Sequence, residues 1–312
     1  MGWVIRLSLC GCLLGATLAG AGSARAQAPA PAQVPGGQNE EAFRSALERL
    51  KSPNAADRAS AADEMGRRGY RVRHEIANVL RPLLKSDPEP LVRAAAGRAL
   101  GRLGVRDAVP DLIAALEDKS PDVRVVAAAA LWRLPDPSAI DALVRHLSDS
   151  EPAVREWSVQ ALGVIGEPRV THDVIRLLSD PVRSVRVSAV LSLGRIGDPA
   201  ALEPLVQYVS KGERDDEEKA EVTNSIAAIK SPQKSDALFK LLAAANQDQA
   251  QRLRLIAALG QVGTSDATPK LRPYAAPGSP PSVRKAANEA IASIVARAQA
   301  SKTSDGAQAK PK

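Results

Sequence analysis

Cysteine is almost absent from this sequence, and its two copies, Cys10 and Cys12, lie close to the N-terminus. If that N-terminal segment is removed, the remaining chain cannot form a disulfide, a thiolate metal site or a cysteine nucleophile. Histidine is also scarce, with three residues in the chain, and aromatic side chains make up 3% of it. The low aromatic content, together with abundant Ala and Leu, is typical of helices that approach one another closely.

The N-terminal segment has the pattern of an export signal. Arg6 precedes an apolar run over residues 7–21, and Ala24-Arg25-Ala26 fits a small-x-small cleavage site. The run is short for a bilayer span, which needs about 20 residues. The sequence therefore predicts a secretory signal peptide at 1–26 and a periplasmic or secreted protein with no membrane span after cleavage. A lipoprotein anchored through Cys12 is the alternative.

Both ends of the remaining chain have compositions that disfavour a packed core. Residues 27–39 are rich in Pro, Ala and Gly, which predicts a disordered tether. Residues 299–312 are mostly polar and predict a disordered C-terminal tail. Loss of Arg6 and Arg25 lowers the formal charge from +7 to +5, which indicates a mildly basic exported protein.

A repeated pattern organises the rest of the chain. A Val-Arg pair recurs at intervals of 31 residues, followed each time by small residues and then leucine. The four pairs are Val92-Arg93, Val123-Arg124, Val154-Arg155 and Val185-Arg186. Looser copies occur at Arg58, Lys219, Arg252 and Arg284, so a helical hairpin is repeated eight times.

The helix ends are also marked in the sequence. Prolines follow Ser or Asp at predicted helix starts, where Pro requires no hydrogen bond. Glycines at predicted ends of second helices indicate left-handed caps; they are Gly69, Gly104, Gly166, Gly197 and Gly263. The spacing lengthens after Gly197, where residues 211–218 predict a protruding, solvated charged turn.

These features resemble the HEAT-repeat family, in the short-repeat form that also occurs in phycobilisome-lyase-like proteins. The resemblance rests on the Asp-x5-Arg spacing, the Val-Arg pair and Ala-Leu-Gly-x-Ile-Gly at 161–166. It implies an all-α, right-handed α-solenoid of about eight helix pairs over 40–298. It also implies a structural ladder of turn aspartates and helix arginines. The ladder residues are Asp87, Arg93, Asp118, Arg124, Asp149, Arg155, Asp180 and Arg186.

The resemblance also raises two enzyme classes. Deoxyhypusine hydroxylase, a di-iron HEAT enzyme, uses several His-Glu dipeptides, whereas this chain has only His74-Glu75. His146 and His172 lie in other repeats at different helical phases, so no metal site is predicted. A lyase-like or chromophore-handling enzyme remains the alternative function. No cofactor is expected, and no Gly-x-Ser-x-Gly elbow is present.

One exposed stripe of the second helices is a candidate binding surface. In HEAT proteins these helices line the concave side, and here arginine recurs at one register beside two tryptophans. The candidate residues are Arg67, Arg98, Arg102, Arg133, Trp157 and Arg195. Such a stripe suits an acidic, extended segment of a partner protein. Alternatively, the arginines offset the helix dipole while Trp132 and Trp157 fill gaps between units.

The expected function is therefore that of an exported, non-catalytic scaffold or adaptor that binds a protein partner. Nucleic acid is not an expected partner, because export separates the protein from it and a phosphate-tracking surface is normally more densely basic.

Overall fold

The computed structural model describes residues 36–68, 73–211, 214–245 and 247–308. The expected signal peptide with Cys12, most of the expected tether, and Gly69 lie outside these residues. The chain divides into two units, Met1–Glu41 and Ala42–Lys312, and all of the helical repeats except the first residues of the first helix belong to the second. Within the described residues, no helix combines the length and apolarity needed to cross a bilayer.

The described secondary structure is helical throughout, and α-helices alternate as the first and second members of eight hairpins. The first helices are α1 (Gly36–Arg49), α3 (Arg73–Ser86), α5 (Val109–Ala115), α7 (Ile140–Arg145), α9 (Thr171–Arg176), α11 (Leu202–Ser210), α13 (Lys234–Ala244) and α15 (Ala267–Leu271). The second helices are α2 (Ala55–Arg68), α4 (Pro90–Leu103), α6 (Pro121–Arg133), α8 (Pro152–Ile165), α10 (Arg183–Ile196), α12 (Asp216–Ala228), α14 (Gln249–Val262) and α16 (Pro281–Gln308).

Short 3-10 segments complete several of the first helices. They are Arg106–Ala108, Pro137–Ala139, His146–Ser148, Pro168–Val170, Leu177–Ser179, Pro199–Ala201 and Arg272–Ala275. Two of them, those beginning at Pro137 and Pro199, follow an aspartate that accepts a hydrogen bond from the backbone, as the Asp-Pro pattern predicts.

Stacking of neighbouring hairpins builds the core. From α2 to α16, each second helix packs against the next second helix, and from α4 to α16 each also packs against its own first helix. Leu100, Leu131, Leu162 and Leu193 occupy the same register of α4, α6, α8 and α10, and each is completely buried. A single hairpin cannot cover such a residue, so stability comes from contacts between neighbours. The fold is therefore an all-α solenoid.

Most, but not all, of the glycine caps have the predicted conformation. Gly104, Gly166 and Gly197 are left-handed, with φ of 69°, 73° and 74°. Gly263 is extended at φ −65°, so the prediction of a left-handed cap is wrong there. Arg297 of α16 supplies the reason, because it donates hydrogen bonds to the carbonyl oxygens of Gly260 and Gly263 at 2.6 and 2.8 Å. Those carbonyls are satisfied without a left-handed turn.

A second set of glycines brings neighbouring second helices close together. A Cβ atom on Gly101 of α4 would lie 2.8 Å from the Cβ of Ala130 in α6. A Cβ atom on Gly163 of α8 would lie 2.6 Å from the Oγ of Ser192 in α10. Trp132 stands at this same register in α6, one repeat after Gly101 and one before Gly163. The largest side chain thus replaces the smallest at the junction between α6 and α8.

The helical region is longer at both ends than the boundaries 40–298 inferred from the repeats. Helix α1 begins at Gly36, inside the stretch interpreted as tether. Helix α16 continues to Gln308, so residues 299–308, which the sequence assigned to a disordered tail, are helical. At the C-terminal end, no proline follows Pro281 until Pro311, so none interrupts the helix.

Candidate functional site

The first turns of the second helices from α2 to α12 carry the ladder. Arg124 donates from Nε and Nη2 to the two carboxylate oxygens of Asp149 in the next unit, at 2.8 and 2.9 Å. Its Nη1 donates to the backbone carbonyl of Asp118 in its own unit, at 3.0 Å. Equivalent inter-unit pairs join Arg58 to Asp87, Arg93 to Asp118 and Arg155 to Asp180. Each arginine therefore ties its own turn to the turn of the following unit.

These ion pairs are partly buried, and both the burial and the hydrogen bonds shift the pKa values of the aspartates. Burial raises the pKa of Asp149, but hydrogen bonds from Arg124, the Glu151 N–H and His146 outweigh it and lower the pKa to about 2. The pKa values of Asp87, Asp118 and Asp180 are also lowered, with burial opposed by their arginines and by backbone N–H groups. The ladder carboxylates are thus held ionised in the folded chain.

The ladder continues beyond Asp180 through acids that the repeat spacing did not identify. Arg186 pairs with Glu218 at 3.2 Å, and the hydroxyl of Tyr208 also donates to Glu218. Lys219 then pairs with Asp248 at 2.6 Å. Glu218 is buried and lies in the first turn of α12, so the prediction of a solvated turn over residues 211–218 is wrong for Glu218, whereas Asp215, Asp216 and Glu217 are exposed. The reason is that Asp215 caps α12 and turns Glu218 inward.

The last turn of the second helices carries the arginine row. We use this name for Arg67, Arg102, Arg133 and Arg195, which share one register of α2, α4, α6 and α10. All four are exposed, and at the same register of α8 stands Val164, which is 40% exposed. Within the described part of the chain, Arg67, Arg133 and Arg195 form no ion pair. Three of the four cations in the row therefore have no contacting carboxylate to offset their charge.

One carboxylate partly neutralises the beginning of the row. Asp63 of α2 accepts from Nε of Arg98 at 3.0 Å and from Nη1 of Arg102 at 3.3 Å. Two guanidinium groups thus share one carboxylate, and a net positive charge remains. The contact joins α2 to α4, so Arg98 contributes to the packing of two units as well as to the charge of the surface.

Two aromatic rings lie beside the row. The rings of Trp132 and Trp157 are 5.5 Å apart between centroids and inclined at 60°. The guanidinium of Arg133 lies over the Trp132 ring, 5.5 Å from its centroid. Both tryptophans are half-buried, and Trp132 Nε1 is buried without a hydrogen-bond acceptor. Such rings fill the space between α6 and α8 and also offer part of an apolar surface.

The opposite, first-helix side of the repeats has a different charge arrangement. Five of its cations pair with carboxylates of neighbouring units. These pairs are Arg81–Asp111, Arg145–Glu117, Arg169–Asp141, Lys240–Glu203 and Lys270–Asp236. Arg106 and Arg272 on this side are exposed and also form no ion pair within the described residues, so what distinguishes the row is that its arginines share one register of neighbouring second helices.

The histidines do not come together in the described structure. His146 is buried, with Nδ1 3.2 Å from Asp149 and Nε2 3.4 Å from Glu117. His74 lies 3.8 Å from Asp107 on the surface of another unit. Among the described residues, no group of three or more His, Cys, Asp and Glu side chains is arranged to hold a metal ion.

Comparison with known families gives the same repeat assignment. The HEAT-repeat family profile matches residues 43–124, 109–173 and 209–292, and the profile of the PBS lyase HEAT-like repeat matches residues 185–211. Both the ladder and the arginine row lie mostly within these segments. No curated protein shows significant similarity to the chain.

Solved structures with similar folds include natural and engineered proteins. YibA of Escherichia coli is 20% identical, with 74% of this chain and 83% of that chain covered and a TM-score of 0.57. An engineered protein is 19% identical, with coverage of 81% and 78% and a TM-score of 0.54. The CpcE–CpcF complex of phycocyanin lyase from Nostoc sp. PCC7120 is 25% identical, with coverage of 86% and 99% and a TM-score of 0.46.

Proposed function

Because this chain belongs to the HEAT-repeat family, we propose that it is an exported, non-catalytic scaffold that binds a protein partner on its second-helix side. Stacked helical repeats commonly provide extended surfaces for other proteins. The fold alone does not determine the function, so the proposal depends on the surface that these particular residues build.

The observation that carries the proposal is the arginine row. Arg67, Arg133 and Arg195 are exposed at one shared register without a contacting carboxylate in the described structure, whereas several cations on the first-helix side are paired across units. Guanidinium groups hold carboxylates through two parallel hydrogen bonds, and arginine and tryptophan are enriched at the energetic centres of interfaces. Trp132 and Trp157 lie beside Arg133 and supply that apolar component.

The test is partner capture with charge-reversed protein. The mature protein, immobilised and exposed to the envelope fraction of its own source, is expected to retain a partner that the double variant Arg102→Glu/Arg133→Glu loses. The matched control is Arg106→Glu/Arg272→Glu, which makes the same change in charge at two exposed positions on the first-helix side. Unchanged circular-dichroism melting of all variants shows that the fold persists. Equal capture by the reversed protein would contradict the proposal.

Export is tested separately. Mass spectrometry of the protein purified from its source is expected to find an N-terminus at Gln27. Cleavage before a lipidated Cys12 would instead support the lipoprotein alternative. Full-length protein in the cytoplasmic fraction alone would refute export.

A chromophore-handling enzyme is the second candidate, and the PBS lyase HEAT-like match at 185–211 is the observation that favours it. This match identifies one type of repeat and carries no catalytic residue with it. A coloured ligand that copurifies with the protein, seen as visible absorption, would favour the enzyme over the scaffold.

A further inference from the structure

The spacing of the arginine row specifies the kind of segment that would fit it, on the condition that the proposed function is correct. Neighbouring second helices pack side by side from α2 to α10. Packed helices have axes about 8–10 Å apart, and the small residues at every junction except that of α6 with α8 favour the lower part of that range. Residues at one register of successive helices are therefore separated by about the same distance.

An extended chain that crosses these helices has a matching repeat. Polyproline II backbone advances about 3.1 Å per residue with three residues per turn, so every third side chain lies on the same face and about 9 Å further along, whereas a β-strand would direct such side chains to opposite faces. Every third side chain of such a segment would meet the same register of the next helix. Carboxylates at every third residue would then each face one arginine of the row.

The register of the arginine row also contains one position without an arginine. Along the stack, this register is occupied by Arg67, Arg102, Arg133, Val164 and Arg195. Val164 is 40% exposed, which is unusual for a large apolar side chain in this structure, and its helix also carries Trp157. An apolar residue of the partner suits that position better than a carboxylate, which would lose hydration there without gaining a cation.

We infer that the second-helix side recognises an extended acidic segment of a partner protein in the pattern acid-x-x-acid-x-x-acid-x-x-apolar-x-x-acid, in either chain direction. Asp63 acts as an internal competitor at one position. It already occupies Arg98 and Arg102, so a partner carboxylate at Arg102 has to share that guanidinium. Binding at Arg133 and Arg195 meets no such competition.

The experiment uses the full chain and fluorescein-labelled synthetic peptides of thirteen residues, in fluorescence-anisotropy titrations at fixed ionic strength. The matched peptide is Glu-x-x-Glu-x-x-Glu-x-x-Leu-x-x-Glu, used in both directions, with x as Ser or Gly. The control peptide has the same composition, with the four Glu clustered at one end. We expect the better matched direction to bind about tenfold more tightly than the clustered peptide. Equal binding of the two would overturn the inference.

The variant Val164→Arg gives a gain-of-function test that misfolding cannot imitate. It completes the row, so the protein is expected to prefer a peptide with Glu in place of Leu, reversing the preference of the unaltered chain. An unchanged preference would overturn the inference. Equally tight binding of linear polyphosphate would also overturn it, because the row would then respond to anionic charge alone.

The partner-capture and peptide-binding experiments together distinguish a failure of this inference from a failure of the proposed function. If partner capture depends on Arg102 and Arg133 while peptide spacing has no effect, the scaffold function stands and the spacing rule fails. If capture is independent of these arginines and no acidic peptide binds, both fail.

Discussion

The indole ring of Trp132 meets that of Trp157 at the junction between α6 and α8, with ring centroids 5.5 Å apart. Trp132 stands at the register that Gly101 and Gly163 occupy in neighbouring units. Neighbouring helices approach closely at those glycines, whereas α6 and α8 meet through an aromatic contact. The pair both joins two units and lies next to Arg133 of the row.

The tryptophan pair should show energetic coupling. In a double-mutant cycle of Trp132→Ala and Trp157→Ala, we expect a coupling free energy of about 0.5–1.5 kcal/mol from the tilted ring contact. Guanidinium unfolding of the four proteins measures it. A control cycle of Trp132→Ala with Lys240→Ala, on a distant exposed side chain, should be additive. Additivity in the tryptophan cycle as well would show that the rings pack independently.

The ladder and the surface ion pairs should differ in their effect on stability. Arg124→Ala leaves the carboxylate of Asp149, with a side chain only 6% exposed, without its main partner. We expect the free energy of unfolding to fall by about 3–5 kcal/mol. Arg169→Ala is the control: it removes an inter-unit pair with Asp141 whose side chains are 55% and 75% exposed, and should cost below about 1 kcal/mol. Similar losses for the two variants would contradict a structural role specific to the ladder.

The lowered pKa of Asp149 predicts a pH dependence with a definite sign. In the folded chain this pKa is about 2, compared with an ordinary value of 3.8. The resulting stabilisation is fully present above the ordinary value and is lost as the pH falls toward 2. Asp149→Asn should therefore be less stable than the unaltered protein at pH 7, and this difference should narrow between pH 4 and pH 2. Urea unfolding across that range measures the narrowing, and a constant difference would contradict the assignment.

The sequence was informative wherever the chemistry repeats at a fixed interval. The spacing of Asp118 and Arg124 marks both residues as ladder members. The family resemblance implies that such aspartates and arginines hydrogen-bond within and between adjacent units. The solenoid was predictable for the same reason, because the buried leucines recur with the same interval. Glu218 was missed because the interval lengthens after Gly197, which moves the ladder acid away from the expected position.

The pairing of Asp63 with Arg98 shows what the sequence contained but the interpretation omitted. The two residues share one register of α2 and α4, and neighbouring helices bring equal registers together. Opposite charges at equal registers of consecutive units were therefore an available signal for an ion pair. The contact of Trp132 with Trp157 had only an indirect signal, a tryptophan at a register otherwise occupied by glycine, and side-chain rotamers decide where such a ring lies.

Close packing at the glycine register gives a prediction about how the units hold together. A Cβ atom on Gly101 would lie 2.8 Å from the Cβ and 3.0 Å from the Cα of Ala130, so Gly101→Ala must push α4 and α6 apart. Because backbone atoms are involved, no side-chain rotation relieves the contact, and we expect a loss of about 1–3 kcal/mol in the free energy of unfolding. Gly278→Ala is the matched control, since a Cβ there meets no atom within 4 Å. If Gly101→Ala were as stable as this control, the helices would have to separate at no cost. Stacking of second helices at that junction would then contribute little to the stability of the solenoid.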